Sequence, residues 1–242
     1  TGVQTCALPI YAFSLCVEDS HYGGGVHFGF AESTRRLWND AGSGPGVRTA
    51  IQAMLDQSLL DRKARRHLFV TGHSKGGALA NLAAMRSAQV KEWADLPVSV
   101  ATIAAARAGN ADFAASYDRP RIACLRYEMP GDVVPHLPLS PATPAWARAI
   151  ARGVFPRLAT ADYRPVGLLV APPPAPKAGH QAWAGSRRPV RRLLDRRGTG
   201  LEALTPAILT AHAICPGSGY DRLICDGEAV CDHGQEPKRK RA

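Results

Sequence analysis

Apolar and polar stretches alternate along the chain in a way that predicts helices and strands in turn. Residues 48–66 place apolar side chains at helical spacing with charges between them. The run HLFVTG (67–72) is short and apolar and ends in glycine, which is typical of a buried strand. The stretch that follows, 74–90, is rich in small residues and predicts a helix that packs closely against a sheet.

The alternation continues with predicted strands at 96–106 and 121–129, separated by the polar, helix-prone segment 109–118. Strands and helices in this order are typical of a parallel α/β architecture. After about residue 138 the pattern is mostly loop-like, with one further strand predicted at 163–170. We therefore expect one α/β domain over 11–226, with an irregular insertion at about 139–200.

Composition is compatible with one domain: the chain has 242 residues, 45% of them hydrophobic and 21% charged. No stretch reaches the ~18 consecutive apolar residues of a transmembrane helix. The net charge of +10 is spread unevenly, with six arginines in the segment 186–197 and four basic residues in PKRKRA at the end of the tail 227–242, which we expect to be disordered. Because no aromatic residues are interleaved with these charges, we do not expect a nucleic-acid partner.

The first ten residues, TGVQTCALPI, resemble an in-frame translation of a sequencing-library adapter. We therefore treat 1–10 as non-native and expect native sequence to begin near Tyr11, with an upstream segment lost. That loss leaves secreted and cytoplasmic locations both open. Outside this segment an odd number of cysteines remains, with no C-x-x-C pair, so no metal site is predicted.

The chemistry centres on a G-x-S-x-G pattern that runs from Gly72 to Gly76 and lies between a predicted strand and a predicted helix. A serine at such a sharp turn is exposed at the positive end of the following helix, where backbone N–H groups can bind an oxyanion. Side chains two residues before and after the serine should collide with their neighbours, so glycine is expected to be required at Gly72 and Gly76. Ser74 is the predicted nucleophile, and a purely structural turn is the alternative.

Four segments, taken together, resemble the class 3 lipase family, whose members are fungal-lipase-like α/β-hydrolases. They are 25–38, 69–84, 102–118 and 126–138, and they occur in the family's order. The resemblance implies an α/β-hydrolase fold with a mostly parallel central sheet. It also implies a serine hydrolase that cleaves carboxylic esters of lipids through an acyl-enzyme, without metal or organic cofactor.

The resemblance further implies a Ser-Asp-His triad in which Ser74 is the nucleophile and Asp132 is the acid. The backbone N–H of Lys75 would then be an oxyanion donor. The histidine must lie downstream of the acid. His212 is favoured because a tyrosine and an apolar run follow it, as in the family, and the other candidates are His136, His180 and His233.

Other positions near the motif are given lesser roles by the resemblance. His73 is expected to be a packing residue of the turn. Ala104 and Ala106 stand where the family usually has glycine and proline, which should affect backbone shape and not triad chemistry.

The segment between Tyr11 and Gly25 lacks the R-G-T/S-like turn and the lid that family members carry there. Half of the oxyanion hole would then be missing, and we expect an N-terminally truncated, poorly stable and weakly active chain. The expected partner is a lipid or a small ester, and peripheral contact with a lipid surface is compatible with that. The alternative is a non-catalytic α/β-hydrolase-fold binding module or an inactive fragment.

Overall fold

The computed structural model describes most of the region that carries the four family-like segments. The described residues are 16–19, 21–42, 44–58, 65–117, 122–154 and 162–171, together with His212, Tyr220, Leu223 and Ile224. Several features singled out above lie outside these residues, namely the segment 1–10, the arginine-rich segment 186–197, the basic tail, His180 and His233.

Eight strands and five α-helices are found in the described part of the chain. In chain order they are β1 (Cys16–Asp19), β2 (Gly24–His27), α1 (Phe28–Trp38), α2 (Val47–Ser58), β3 (Leu68–His73), α3 (Lys75–Ala88), β4 (Val98–Ile103), β5 (Gly109–Asn110), α4 (Ala111–Tyr117), β6 (Ala123–Tyr127), α5 (Ala145–Val154), β7 (Tyr163–Arg164) and β8 (Leu168–Val170). Short 3₁₀ helices occupy Lys91–Trp93 and Val134–His136. No described helix is long and apolar enough to cross a membrane.

A four-stranded parallel sheet in the order β3-β4-β6-β8 organises the molecule. Helix α3 packs against β3 and β4, and its small buried side chains, including Ala78, Ala80 and Ala84, allow it to lie close to the sheet. The predicted α/β architecture is therefore confirmed. Parallel strands bring their carboxyl ends to one edge, which is where loops with functional side chains gather.

A second, antiparallel sheet in the order β1-β2-β5-β7 lies beside the parallel one. Helix α1 follows β2 directly and buries Phe30, Thr34 and Trp38, which are four residues apart and share one helix face. Phe30 joins Leu82 of α3 and Phe113 of α4 in one hydrophobic core. Because the same core includes Val26 of β2 and Val100 of β4, both sheets contribute to it.

The chain after residue 138 differs from the expectation in two places. The single strand predicted at 163–170 is two strands, β7 and β8, which belong to different sheets. Between them Gly167 has φ 81, and a Cβ there would lie 2.4 Å from the Cys124 sulfur. The stretch expected to be irregular also contains α5, whose Ala147, Ile150 and Ala151 are buried.

His27 links β2 to α1 and makes this junction sensitive to pH. Its side chain is fully buried, and its Nδ1 accepts a hydrogen bond from the Phe30 amide at 3.3 Å. Burial lowers the pKa of His27 to about 4. The imidazole is therefore neutral at physiological pH, as an acceptor at a helix N-terminus must be.

We expect His27 to make the fold less stable in mild acid. In the unfolded chain the histidine has a pKa of about 6.5 and becomes protonated below that pH, whereas in the folded protein it stays neutral. The free energy of unfolding therefore decreases as the pH falls from about 6.5 towards 4. Between pH 7.5 and pH 5 this amounts to about 2 kcal/mol of the free energy of unfolding. Asparagine also caps helices but does not titrate. Between pH 7.5 and pH 5, the free energy of unfolding of His27→Asn in urea should therefore fall by about 2 kcal/mol less than that of the unmodified protein. An identical loss in both proteins would contradict the assignment.

Candidate active site

The turn from β3 into α3 holds Ser74 in a strained conformation, with φ 59 and ψ −127. A positive φ is unfavourable for any residue with a Cβ, so the surroundings must impose it. The Ser74 amide donates to the Ile103 carbonyl at 3.0 Å, and the Ser74 carbonyl accepts from the amides of Gly77 at 3.0 Å and Ala106 at 3.4 Å. Backbone hydrogen bonds with α3, with the end of β4 and with the loop that follows β4 thus stabilise the predicted strand-to-helix turn.

The glycines of this turn are not all required. A Cβ on Gly72 would lie 2.2 Å from the Gly76 carbonyl oxygen, and one on Gly77 would lie 2.5 Å from the Ala105 Cβ. A Cβ on Gly76 would meet nothing within 4 Å. The expected requirement for glycine at Gly76 is therefore wrong, because this residue lies on the open side of the first helical turn. The helix approaches the neighbouring loop one residue later, at Gly77.

The Lys75 amide begins α3 at the position expected for an oxyanion donor. In the described part of the chain it donates no hydrogen bond to any group. The first N–H groups of a helix have no partner inside the helix, so this one is available to a ligand. Ala104, in the loop that follows β4, adopts φ 52, a conformation that favours glycine.

Asp132 lies in the loop that follows β6 and is only 1% exposed. Its Oδ1 accepts a hydrogen bond from the Val134 amide at 2.9 Å. Its Oδ2 lies 2.9 Å from His212 Nδ1 and accepts from the Tyr220 hydroxyl at 2.8 Å. Three donors therefore satisfy a carboxylate that is withdrawn from water, as a buried acceptor requires.

Tyr220, the tyrosine that follows His212 along the chain, is a member of this cluster for which no role was predicted. Its side chain is fully buried, and its hydroxyl accepts from the Met129 amide at 3.1 Å while it donates to Asp132. Burial, with the Asp132 charge, raises the pKa of the phenol, so the hydroxyl stays protonated and remains a donor. The available signal was a tyrosine eight residues after the favoured histidine, in the stretch that already resembled the family.

The structure brings His212 against Asp132 and against the turn that carries Ser74. Besides its hydrogen bond to Asp132, His212 has a backbone carbonyl 2.9 Å from His73 Nε2, and the two imidazole rings lie 4.5 Å apart. His212 Nε2 is buried and, among the described residues, has no hydrogen-bond partner. No hydrogen bond joins Ser74 to this nitrogen there, so the serine is adjacent to the pair but not bonded to it.

His136 is set apart from this arrangement. It ends the short 3₁₀ helix and packs edge-on against Trp146 at 5.1 Å between ring centroids. Burial lowers its pKa to about 4. Among the described residues its side chain bonds to neither Asp132 nor Ser74, although it is the candidate histidine closest in sequence to the acid.

Comparison with known proteins identifies the family of this chain. A protein-family model for the class 3 lipases matches residues 6–141. The chain belongs to the class 3 lipase family. The expected family and its α/β fold class are thereby confirmed.

Individual relatives each match only part of this class 3 lipase chain. Lipase ZK262.3 of Caenorhabditis elegans is 42% identical over 71 residues, which are 29% of this chain and 20% of that protein. A lipase from Rhizopus microsporus var. chinensis is 31% identical with a TM-score of 0.41, covering 50% of this chain and 39% of that one. Rhizomucor miehei triacylglyceride lipase is 27% identical with a TM-score of 0.45, covering 59% and 49%. The chain therefore spans a fifth to a half of these relatives.

The glycine geometry predicts unequal effects of one added methyl group in this class 3 lipase. Gly72→Ala and Gly77→Ala should each lower the free energy of unfolding by about 2 kcal/mol, because backbone or Cβ atoms must move. Gly76→Ala is the matched control, and it should leave stability unchanged or raise it by up to about 1 kcal/mol through helix propensity. Urea unfolding followed by circular dichroism measures all three. Equal losses at the three positions would refute the geometry.

Removing the Tyr220 hydroxyl should destabilise the protein, because the buried Asp132 carboxylate loses a hydrogen bond. Tyr220→Phe leaves the Met129 amide unpaired and takes one donor from the carboxylate, so we expect the free energy of unfolding to fall by about 1–3 kcal/mol. Tyr127→Phe is the matched control, because the Tyr127 hydroxyl makes no hydrogen bond with another described residue. Urea unfolding of both variants measures the difference, and a Tyr220→Phe protein as stable as the control would contradict the assigned contact.

Proposed function

We propose that this chain hydrolyses carboxylic ester bonds of lipids through a Ser74-His212-Asp132 triad. The observation that carries the proposal is the hydrogen bond between His212 Nδ1 and buried Asp132, formed beside the turn that exposes Ser74. A serine, a buried carboxylate and an imidazole, in this order along the chain, are the groups that acyl transfer needs.

Asp132 selects the imidazole tautomer. Because its Oδ2 accepts from His212 Nδ1, the lone pair of the neutral ring is on Nε2. That nitrogen is buried and has no partner among the described residues, and an unsatisfied acceptor in such a place is costly. A proton from the Ser74 hydroxyl would satisfy it, and the Asp132 carboxylate would stabilise the resulting imidazolium.

The reaction would take two steps. Ser74 Oγ attacks the ester carbonyl carbon while His212 Nε2 takes the hydroxyl proton, and collapse of the tetrahedral species returns that proton to the leaving alcohol. Water then attacks the acyl-enzyme, His212 takes its proton, and the carboxylic acid leaves as the Ser74 hydroxyl is restored. The Lys75 N–H, which has no partner within the described chain, would donate to the oxyanion in both steps.

Family membership supports a lipid ester as the substrate class. All three of the similar proteins reported above are named as lipases, and one of these is a triacylglyceride lipase. The proposed chemistry requires no metal or organic cofactor, since proton transfer and oxyanion stabilisation come from the protein.

A non-catalytic binding module is the second candidate, and one observation favours it. Ser74 is not hydrogen-bonded to His212 Nε2 among the described residues. The two candidates differ in whether Ser74 is nucleophilic, so covalent labelling separates them.

The test is the rate of fluorophosphonate labelling, measured together with hydrolysis of 4-nitrophenyl butyrate. We expect Ser74→Ala to abolish labelling and His212→Ala to slow it by at least about 10³-fold, because the general base is lost. Asp132→Asn should slow it by about 10³–10⁴-fold through the wrong tautomer.

Ser33→Ala provides the matched serine control, since Ser33 Oγ donates to the Gly29 carbonyl within α1, away from the site. It should label like the unmodified protein. Labelling that survives Ser74→Ala, or an unmodified protein that is never labelled, would refute the proposed function and favour the binding module.

A further inference from the structure

His73 is the last residue of β3 and immediately precedes Ser74. It makes two contacts with a residue 139 positions away: its Nε2 lies 2.9 Å from the His212 carbonyl oxygen, and its ring lies 4.5 Å from the His212 ring at an interplanar angle of 30°. The expectation for His73 was packing alone. The hydrogen bond is an additional, directional contact.

The direction of this hydrogen bond fixes the state of His73. A carbonyl oxygen only accepts, so Nε2 carries the hydrogen and donates it. Burial lowers the pKa of His73 below its usual value, which keeps the ring neutral. A neutral ring beside His212 is suited to the proposed reaction, because it avoids a second positive charge next to the imidazolium.

The two contacts restrain parts of His212 that Asp132 leaves free. The hydrogen bond from Nδ1 to Asp132 holds one edge of the imidazole, and the ring can still pivot about that bond. His73 holds the main chain of His212 through its carbonyl and covers one face of its ring. Because His73 and Ser74 are consecutive, this restraint ties His212 directly to the segment that carries the serine.

We propose that His73 is a positioning residue, which fixes the His212 main chain and ring relative to Ser74 through its Nε2–H and its ring face. The proposal rests on the proposed function, since it assigns His73 a role in the geometry of that site. His73 would touch neither substrate nor reacting atoms.

Two substitutions separate the donor from the ring. His73→Gln keeps an N–H near the position of Nε2 and removes the ring, whereas His73→Phe keeps a ring and removes the donor. The measurements are kcat and KM for 4-nitrophenyl butyrate, the rate of fluorophosphonate labelling of Ser74, and urea unfolding. His67→Phe is the matched control, because it also removes a histidine hydrogen bond, here between Nε2 and Ser99 Oγ at 2.9 Å, and keeps a ring that can stack on Phe69, at the other end of the same strand.

We expect His73→Phe to lower kcat and the labelling rate by about 10–100-fold, with KM changed less than about twofold, because a displaced base impairs chemistry more than binding. His73→Gln should recover most of that loss, and His67→Phe should match the unmodified protein. A structural role alone would shift the unfolding curve in proportion to activity and would give no preferential recovery by glutamine.

Three outcomes would overturn the proposal. They are unchanged kcat in His73→Phe, equal losses in His73→Phe and His73→Gln, and activity losses that follow the unfolding curves. The failure of the proposed function has a different signature, since the unmodified protein would then escape labelling or Ser74→Ala would retain it. If Ser74 is labelled in the unmodified protein and all His73 variants label equally fast, only the positioning role fails.

Discussion

The burial of one carboxylate is the constraint on which the site depends. Asp132 is almost completely withdrawn from water, so its two oxygens need donors, and they find them on Val134, His212 and Tyr220. Two of these residues come from a part of the chain about 80 positions downstream. Satisfying the carboxylate therefore draws that part of the chain onto the carboxyl edge of the parallel sheet and brings an imidazole to the loop after β6. The hydrogen bonds that stabilise the charge therefore also hold His212 at this site.

A second constraint is the shape of the turn at Ser74. The positive φ of this serine is unfavourable by itself. It persists because the Ser74 amide donates to Ile103 and the Ser74 carbonyl accepts from the amides of Gly77 and Ala106. Those bonds need the loop after β4 to approach α3 very closely. Only the absence of a side chain at Gly77 allows that approach, since a Cβ there would overlap Ala105. The strained backbone at Ser74 and the close packing of α3 are thus one feature of the structure.

The extent to which the sequence predicted this arrangement depends on how local each feature is. The parallel strands and the turn at Ser74 follow from short-range periodicity and a five-residue pattern, and both were predictable. The roles of Gly76 and Gly77 were not, because spacing alone does not tell which glycine faces the neighbouring loop. The contact of Tyr220 with Asp132 joins residues 88 positions apart, and no pattern within one sequence encodes such a distance. The division of 163–170 into two strands likewise depends on Cys124, against which Gly167 packs.

The proposed triad therefore requires three separate segments to meet, and the contacts among them are unequal. Asp132 and His212 are joined by a hydrogen bond, whereas Ser74 is connected to His212 through the hydrogen bond that its neighbour His73 donates to the His212 carbonyl. Catalytic hydrogen bonds are often long without substrate and tighten in the reacting complex, so the missing Ser74 contact is compatible with a nucleophile. For that tightening to succeed, the imidazole must already be held near the turn. The neutral His73 ring covers one face of His212, and its Nε2–H donates to the His212 carbonyl, so it restrains the imidazole without adding charge. His73 would in this way position the base that is proposed to deprotonate Ser74.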